Sequence, residues 1–423
     1  MVNSAYNLLT MRTFLLRSGS LILAASTVLS CSNRSVQAAS TPLTDSSPVE
    51  TNAPNTNYQP AFPNQTRVRG VHTSTPWEAR ILTRGLNRPW GLTALPDGRL
   101  LITEKGGTLR IVHNGTGALS AAITGLPAVE DAGQGGLLDV AIDPDFAQNR
   151  TIYWTFSERV SGGNLTAVGK GQLSADEQRV ENARVIYRAL PAYNGTLHYG
   201  GRLAFGRDGN LFVSTGERSD LATRPQAQVL TSALGKILRI TRDGQPAPGN
   251  PFLGRNDALP ELWSYGHRNV QGLAIHPETG GLWNSEMGPR GGDEVNRIEA
   301  GKNYGWPTIT YGIEYGGSKI GQGITQQAGM EQPVYYWDPV MSPSGTCFYS
   351  GSGLAEWKNN LFLCGLSGQH IARLVIENGR VTGEERLLAG EGHRFRSITE
   401  GRDSALYAIT DGTPGILYRI AKR

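Results

Sequence analysis

The segment Trp90–Thr103 reads WGLTALPDGRLLIT, and Gly201–Ser214 repeats its arrangement as GRLAFGRDGNLFVS. In both, the pair Asp-Gly stands between two short apolar runs. This pair favours a type I′ hairpin turn, because both central residues of such a turn need a positive φ. Each segment therefore predicts two antiparallel β-strands joined by a tight turn.

The same arrangement recurs four more times along the chain. The further copies occupy Gly136–Phe146, Gln271–Ser285, Gly345–Leu363 and Arg396–Ile409. Several copies continue into a third apolar run, at Thr108–Val112, Lys236–Ile240 and Ile416–Ile420. A unit of about four strands that returns about every 50 to 70 residues is typical of a β-propeller. Six copies predict an all-β, six-bladed β-propeller, which we place at residues 76–423.

The composition excludes several other classes of protein. The 423 residues contain 54 glycines without a collagen-like period, which fits the turns of many short strands. The net charge of +4 is too small and too scattered for a nucleic-acid-binding surface. The lack of heptads excludes a coiled coil, and a single apolar run excludes a polytopic membrane protein.

Residues 1–31 resemble a bacterial export signal. Arg12 and Arg17 give a basic start, and the apolar run Leu15–Leu29 is too short to span a bilayer. The run ends in a lipobox-like sequence at Cys31, which would be acylated after cleavage; the alternative is an ordinary cleaved signal with an incidental cysteine. We therefore expect an exported protein, periplasmic or held at the membrane only by a lipid on Cys31. The polar residues 32–75 predict a disordered tether.

Two further cysteines, Cys347 and Cys364, both fall in predicted strands. Neighbouring strands of one sheet could bring them together, and an oxidising compartment permits a disulfide. A pair of buried apolar thiols fits the sequence equally well, so both interpretations stay open.

Polar residues interrupt the apolar pattern just before several predicted strands. A propeller binds ligands where the loops of its blades converge, so these residues are candidates for a site. His198 precedes Gly200-Gly201, which allow a ligand to approach closely, and a neutral imidazole suits proton abstraction. A purely structural histidine is the alternative. Gln134 stands at the equivalent position of the second copy.

Two arginine-containing segments add positive charge at these positions. Arg268 and Asn269 stand just before a predicted strand, where Arg268 could instead be a buried partner of a carboxylate. Arg394 and Arg396 share one face of an extended segment and suit a carboxylate-rich ligand; a solvated basic edge is the alternative. The loop Ser285–Asn296 combines glycines with carboxylates, and such oxygen donors suit a hard cation such as Ca²⁺, although the spacing is not that of an EF-hand.

Taken in order, these motifs resemble the soluble pyrroloquinoline quinone (PQQ)-dependent sugar dehydrogenases, in particular the bacterial aldose sugar dehydrogenases of the glucose/sorbosone dehydrogenase family. The resemblance covers Trp77–Arg423 and implies a propeller with PQQ and Ca²⁺ at its mouth. It also implies oxidation of an aldose at the anomeric carbon to a lactone, with electrons passed to an external acceptor. The motifs are Gly133–Leu138, His198–Arg202, Gly235–Arg239, Gly266–Asn269, Ser285–Pro289 and Lys302–Pro307.

The resemblance assigns roles to single residues. His198 would take the proton of the anomeric hydroxyl, and Arg268 with Ca²⁺ would stabilise negative charge at the quinone carbonyl. The active-site Ca²⁺ would use the carbonyls of Gly288 and Pro289, and another Ca²⁺ would use Glu294 and the backbone near Tyr304. The cofactor-contacting positions are Gln134, Arg268, Asn269, Tyr315, Arg394 and Arg396.

Ser367 departs from this family pattern, because relatives usually carry a Lys or Arg there that contacts the cofactor. Its absence removes one charge-assisted bond, on the order of 1.5–3 kcal/mol, so weaker PQQ binding is an expected consequence. Two other functions remain open. One is a non-catalytic ligand-binding propeller, which Ser367 favours. The other is a Ca²⁺-dependent hydrolase of the lactonase type, which would need carboxylates and asparagines where arginines converge here.

Overall fold

The computed structural model describes residues 47–423. The predicted export signal, Cys31 and the first part of the predicted tether lie outside the described residues. Within the described part, the strands form six antiparallel sheets arranged as a six-bladed β-propeller, which confirms the fold that the repeat predicts.

The first strand, β1 (Trp77–Leu86), belongs to the last blade. Blade 1 contains β2 (Pro89–Ala94), β3 (Leu100–Glu104) and β4 (Thr108–Val112). Blade 2 contains β5 (Leu137–Ile142), β6 (Thr151–Val160), β7 (Gly163–Leu173) and β8 (Val180–Arg188). Blade 3 contains β9 (Gly200–Phe205), β10 (Leu211–Thr215), β11 (Lys236–Ile240) and β12 (Leu262–Tyr265).

The second half of the ring follows the same plan. Blade 4 contains β13 (Val270–Ile275), β14 (Leu282–Glu286), β15 (Asp293–Ile298) and β16 (Tyr335–Trp337). Blade 5 contains β17 (Pro343–Phe348), β18 (Leu361–Gly365), β19 (Ile371–Glu377) and β20 (Arg380–Leu387). Blade 6 contains β21 (Phe395–Glu400), β22 (Leu406–Thr410) and β23 (Gly415–Lys422), with β1 as its outer strand.

The described helices are short and lie in loops. They are α1 (Phe146–Asn149) and two 3₁₀ turns at Arg224–Gln228 and Ala355–Trp357. None of the helices within residues 47–423 has the length and apolar character needed to cross a membrane.

The two quoted Asp-Gly segments form hairpins, but their turn type differs from the prediction. Only the glycines have positive φ, +89° at Gly98 and +75° at Gly209, whereas a type I′ turn needs two such residues. Leu95 N–H donates to Arg99 O at 2.8 Å, and Gly98 N–H donates to Leu95 O at 3.0 Å. This pattern is that of a three-residue loop with its glycine in the left-handed region, so the hairpin prediction is correct and the type I′ prediction is wrong.

The ring closes by pairing the beginning of the propeller with its end. Strand β1 runs antiparallel to β23, with Trp77 opposite Lys422 and Leu86 opposite Gly415. Apolar clusters fill the space between adjacent blades, as where Tyr153 of blade 2 packs with Leu238 of blade 3. The blades are therefore held by side-chain packing, and the ring is closed by backbone hydrogen bonds.

Arg202 in β9 joins the innermost strands at the centre of the ring. Its guanidinium donates to Asp139 Oδ1 at 3.1 Å, to Gln271 O at 2.6 Å and to Arg396 O at 3.0 Å. It also lies over the ring of Trp90, 3.9 Å from the centroid. Because these partners come from four other blades, Arg202 fixes the innermost strands relative to one another.

Residues 47–75 correct the prediction of a disordered tether for the part of it that the structure describes. Asn55 and Thr56 donate their backbone N–H groups to Asp338, at 2.8 and 3.0 Å. Gln65 is fully buried, with its Nε2 donating to Pro333 O at 2.9 Å. The segment has too few apolar residues to fold alone, but hydrogen bonds to blade 4 and the following loop order it against the propeller.

Within residues 47–423, Cys347 and Cys364 are free thiols and are not joined to each other. Cys364 is fully buried and faces the core cluster between blades 5 and 6, with Cys347 packed against the same cluster. Of the two interpretations of this pair, the structure supports two thiols in an apolar environment, with Cys364 buried and Cys347 partly buried.

Candidate active site

A cavity of about 440 Å³ opens where the loops of all six blades converge. Most of the predicted site residues lie on its wall, although they are far apart in sequence. Those brought together are Gln134, His198, Arg268, Gly288, Pro289, Tyr315, Arg394 and Arg396. The prediction that polar residues at blade junctions share one mouth is therefore met by the geometry.

His198 is held by a carboxylate that the sequence analysis missed. Glu217 follows β10 and places its Oε1 3.0 Å from His198 Nδ1, while its Oε2 accepts the N–H of Ser219 at 2.6 Å. A carboxylate beside Nδ1 holds the proton there and leaves Nε2 as the basic nitrogen. No residue within 47–423 hydrogen-bonds to Nε2, and His198 lines the cavity. The side chain is thus oriented as a proton acceptor.

The surroundings of His198 favour its neutral form. Burial and the nearby Arg268 charge lower the pKa of His198 to about 4, against the opposing effect of Glu217. The backbone adopts a left-handed φ of +45°, which a non-glycine residue rarely takes, and Gln134 Oε1 accepts the His198 N–H at 2.9 Å. Gln134 therefore supports the backbone of His198 in addition to lining the cavity.

Arg268 projects into the cavity beside the glycine-rich loop of blade 4. Its Nη1 donates to Met287 O at 2.9 Å and to Gly288 O at 2.7 Å, and its Nη2 lies 3.5 Å from the Tyr315 hydroxyl. Its buried Nε has no partner among the described residues. No carboxylate of residues 47–423 pairs with Arg268, so the alternative role as a partner of a blade carboxylate is not seen, and carbonyls are the partners of this charge at the cavity wall.

Arg394 and Arg396 lie on one face of the segment, as the alternation predicts, and share one carboxylate. Arg394 Nε donates to Asp411 Oδ2 at 3.1 Å, and Arg396 Nη2 donates to Asp411 Oδ1 at 2.9 Å. Asp411, which the sequence analysis missed, orients both guanidiniums but neutralises only one of them.

Asn269 is the one predicted cofactor-contacting residue that does not line the cavity. It is buried behind the wall, where its Oδ1 accepts the N–H of Gly200 at 3.1 Å. A Cβ at Gly200 would lie 2.6 Å from the backbone of Thr215, so this glycine is needed for the close approach of β9 and β10. The position of Asn269 is that of a support for the segment after His198.

The loop with Gly288 and Pro289 presents its backbone to the cavity. Gly288 N–H donates to Asp293 Oδ1 at 2.7 Å, and Asp293 Oδ2 accepts the N–H groups of Met341 and Ser342 at 2.8 and 2.7 Å. Asp293 therefore ties the predicted Ca²⁺-binding loop to the segment just before β17 of the neighbouring blade 5. Backbone carbonyls are among the oxygen ligands that Ca²⁺ takes, but the Gly288 carbonyl already accepts a hydrogen bond from Arg268 Nη1, so a Ca²⁺ here would share or replace that bond.

Glu294 and Tyr304 line a separate, small cavity of about 10 Å³ behind this loop, together with Glu286. Burial and the neighbouring Glu286 raise the pKa of Glu294. Asn296 Nδ2 donates to both carboxylates at 3.2 Å, and its Oδ1 has no partner among the described residues. The Tyr304 hydroxyl is used by Glu299 N–H and Arg297 O, so only its backbone is available as a ligand. Closely spaced carboxylates and a free amide oxygen fit a hard cation here as well.

The residues that the sequence analysis missed share one position in the repeat. Lys105, Glu217 and Asp411 each follow the second strand of a blade directly or by one residue, and Lys105 and Asp411 line the cavity. Candidates placed before the innermost strands were found because they interrupt an apolar pattern. The ends of the second strands face the same mouth, and that position is the signal that could have found the others.

Comparison with known proteins agrees with this geometry. A family model described as Glucose / Sorbosone dehydrogenase matches residues 86–419. The chain belongs to this family. It is 42% identical over 346 residues to "Aldose sugar dehydrogenase YliI" of Escherichia coli, covering 81% of this chain and 92% of that protein. The resemblance that the motifs indicate is thereby confirmed.

Solved structures of this family superpose on the propeller. The apo-form of the soluble aldose sugar dehydrogenase from Escherichia coli gives a TM-score of 0.78 at 41% identity, covering 82% of this chain and all of that chain, 100%. The PQQ-bound form of the aldose sugar dehydrogenase from Streptomyces coelicolor gives 0.67 at 31% identity, covering 82% and 100%.

Proposed function

We propose that the protein is a PQQ-dependent aldose sugar dehydrogenase that oxidises the anomeric carbon to a lactone. The observation that carries the proposal is the cavity, in which the free Nε2 of His198 faces four cationic side chains and one carboxylate. Family membership and the PQQ-bound structure of a relative support the same function.

The charges of the cavity suit a ligand with several carboxylates. Lys105, Arg268, Arg394 and Arg396 line it, with Asp411 as the opposing charge on its wall. PQQ carries three carboxylates, and guanidinium–carboxylate pairs are strong and directional. We assign these cations, with Gln134 and Tyr315, to holding the cofactor, and Asn269 to supporting the wall behind it.

The chain itself supplies the proton transfer. His198 Nε2 would accept the proton of the anomeric hydroxyl, and Glu217 would hold the ring in the required tautomer and stabilise the imidazolium that forms. Bound PQQ would supply the two-electron acceptor for the hydride of the same carbon, and Ca²⁺ would act as a Lewis acid beside it. Arg268, whose charge at the wall has no carboxylate partner within residues 47–423, would stabilise negative charge that develops nearby.

Two parts of the proposal rest on the sequence and the fit of the residues. The carbonyls of Gly288 and Pro289 would hold the active-site Ca²⁺, and Glu294 with the backbone near Tyr304 would hold another. Export, with a lipid on Cys31 as the membrane attachment, is proposed from the first 31 residues; labelling with a fatty acid in the wild type and in Cys31→Ser tests it. Electrons would leave to an external acceptor.

The decisive experiment is a titration of the purified protein with PQQ in the presence of Ca²⁺, followed by an excess of an aldose. Saturable binding and sugar-dependent loss of the quinone absorbance, with the lactone as product, would support the proposal. Binding without any loss across a panel of mono- and disaccharides would contradict the dehydrogenase and favour a non-catalytic binding propeller. Absence of PQQ binding would contradict the dehydrogenase and would leave a propeller that binds another ligand and the lactonase-type hydrolase as the alternatives.

A further inference from the structure

Lys105 directly follows β3 and projects into the cavity without a carboxylate partner. Its Nζ donates to Gly133 O at 2.8 Å, and no carboxylate within residues 47–423 lies within 4.0 Å of it. An ammonium group has three N–H donors, so two of them are unused by the described residues. Burial and the nearby Arg396 charge lower the pKa of Lys105, against the opposing effect of Asp131 and Asp411.

The other cations of the cavity already have a carboxylate or two backbone carbonyls as partners. Arg394 and Arg396 share Asp411, and Arg268 donates to the carbonyls of Met287 and Gly288. Ser367 lies on the same wall, but its hydroxyl pairs with Ser342 Oγ at 2.7 Å and carries no charge. Lys105 therefore has no carboxylate partner and keeps two unused donors among the described residues, and it lines the same cavity as Ser367.

The backbone holds Lys105 in place between two blades. Its N–H donates to Arg88 O at 3.1 Å, and its carbonyl accepts the N–H of Leu137 in β5 at 2.9 Å. A Cβ at Gly136 would lie 2.5 Å from this carbonyl, so the close approach depends on that glycine. A side chain that starts from so fixed a backbone loses less entropy when it binds a ligand.

We propose that Lys105 binds a carboxylate of the ligand in this cavity and supplies the positive charge that Ser367 does not provide. The inference rests on the proposed function for the identity of that ligand, PQQ. It differs from the roles implied by the family motifs, because Lys105 belongs to none of them. It also explains how a chain with Ser367 can keep a cavity suited to several carboxylates.

The test compares PQQ dissociation constants of wild type, Lys105→Met and Lys105→Arg, measured from the quinone absorbance with Ca²⁺ and without sugar. Lys105→Met should bind roughly 10- to 100-fold more weakly, the loss expected for one charge-assisted hydrogen bond. Lys105→Arg keeps the charge and should stay close to wild type. Lys422→Met, at an exposed position in β23, is the matched control and should leave the constant unchanged. Equal affinities for Lys105→Met and wild type would overturn the inference while leaving the proposed function intact.

A second probe separates the two proposals. Benzene-1,3,5-tricarboxylate offers three carboxylates without a quinone, and its binding can be followed by calorimetry. If wild type fails to bind PQQ, the proposed function fails. The inference then stands only if the tricarboxylate binds wild type and binds Lys105→Met at least about tenfold more weakly. A tricarboxylate that binds neither protein, or both equally, would overturn the inference as well.

Discussion

Two histidine–glutamate pairs occupy similar places in adjacent blades. In blade 3, His198 precedes β9 and its Nδ1 lies 3.0 Å from Glu217; in blade 4, His267 precedes β13 and its Nδ1 lies 3.0 Å from Glu286. The pairs differ at the second ring nitrogen. His198 Nε2 has no partner among residues 47–423 and lies at the cavity wall, whereas His267 Nε2 bonds to Ser264 Oγ at 2.9 Å and the His267 ring stacks on Tyr304.

The two pairs meet at the backbone of Arg268. Glu286 Oε2 accepts the Arg268 N–H at 2.8 Å, and the N–H of Glu217 donates to Arg268 O at 2.9 Å. The comparison teaches that the repeat supplies one arrangement with two uses. In blade 4, both ring nitrogens of His267 are hydrogen-bonded, and Glu286 holds the backbone of Arg268. In blade 3, only Nδ1 of His198 is hydrogen-bonded within residues 47–423, so Nε2 is available to accept a proton.

Replacing His198, whose Nε2 lies at the cavity wall, should have the largest effect on the rate. His198→Gln removes the proton acceptor but not the cations that hold PQQ. We expect kcat to fall roughly a thousand-fold, within the usual range for general-base catalysis, while the PQQ dissociation constant stays near that of wild type. Steady-state rates and the PQQ titration measure the two quantities. Loss of PQQ binding with an unchanged rate per bound cofactor would contradict the role of His198.

Replacing His267, the corresponding histidine of blade 4, should lower the stability of the fold. His267→Leu removes the histidine partner of buried Glu286, which keeps only the N–H groups of Arg268 and Asn296, and it removes the stack on Tyr304. We expect the free energy of unfolding to fall by about 2–4 kcal/mol, measured by urea denaturation. His113→Leu, at an exposed position, is the control. A thousand-fold loss of kcat at unchanged stability would show that His267 takes part in the chemistry. The assignment of a purely structural role to the pair in blade 4 would then be wrong.

Glu217 should act through His198 rather than on the substrate. Glu217→Gln keeps the size of the side chain but lets an amide face Nδ1, which disturbs the tautomer; we expect kcat to fall on the order of a hundred-fold. Because Glu217 opposes the lowering of the His198 pKa, its neutralisation should also move the acid limb of kcat/KM to lower pH. Glu217→Asp should recover part of the rate. A lower rate with an unmoved pH profile and no recovery would indicate a structural role only.

The sequence predicts the fold and the residues that precede apolar strands, but not the residues that follow strands. The fold could be predicted because apolar runs and Asp-Gly turns repeat, and His198, Arg268 and Arg396 stood out as polar residues before apolar strands. Glu217 and Lys105 gave no such signal, because they only follow a strand and become informative once the ring brings strand ends together. The order of residues 47–75 was missed for a related reason, since their partners, such as Asp338, lie in a distant part of the chain.

The smallest expected effect concerns the charge between the two pairs. Arg268 follows burial as a cause of the low pKa of His198, about 4, so Arg268→Met should raise that pKa towards the ordinary value of ~6.5. In the wild type, the unfolded chain binds a proton at His198 more readily than the folded one. This histidine therefore contributes stability above about pH 6.5 that is lost as the pH falls towards 4.

NMR titration of the His198 ring in the PQQ-free protein measures the change in the His198 pKa directly, with Arg268→Lys as the charge-preserving control. A pKa that stays at about 4 in Arg268→Met would mean that burial alone keeps His198 neutral, and the role of Arg268 would then be confined to the ligand.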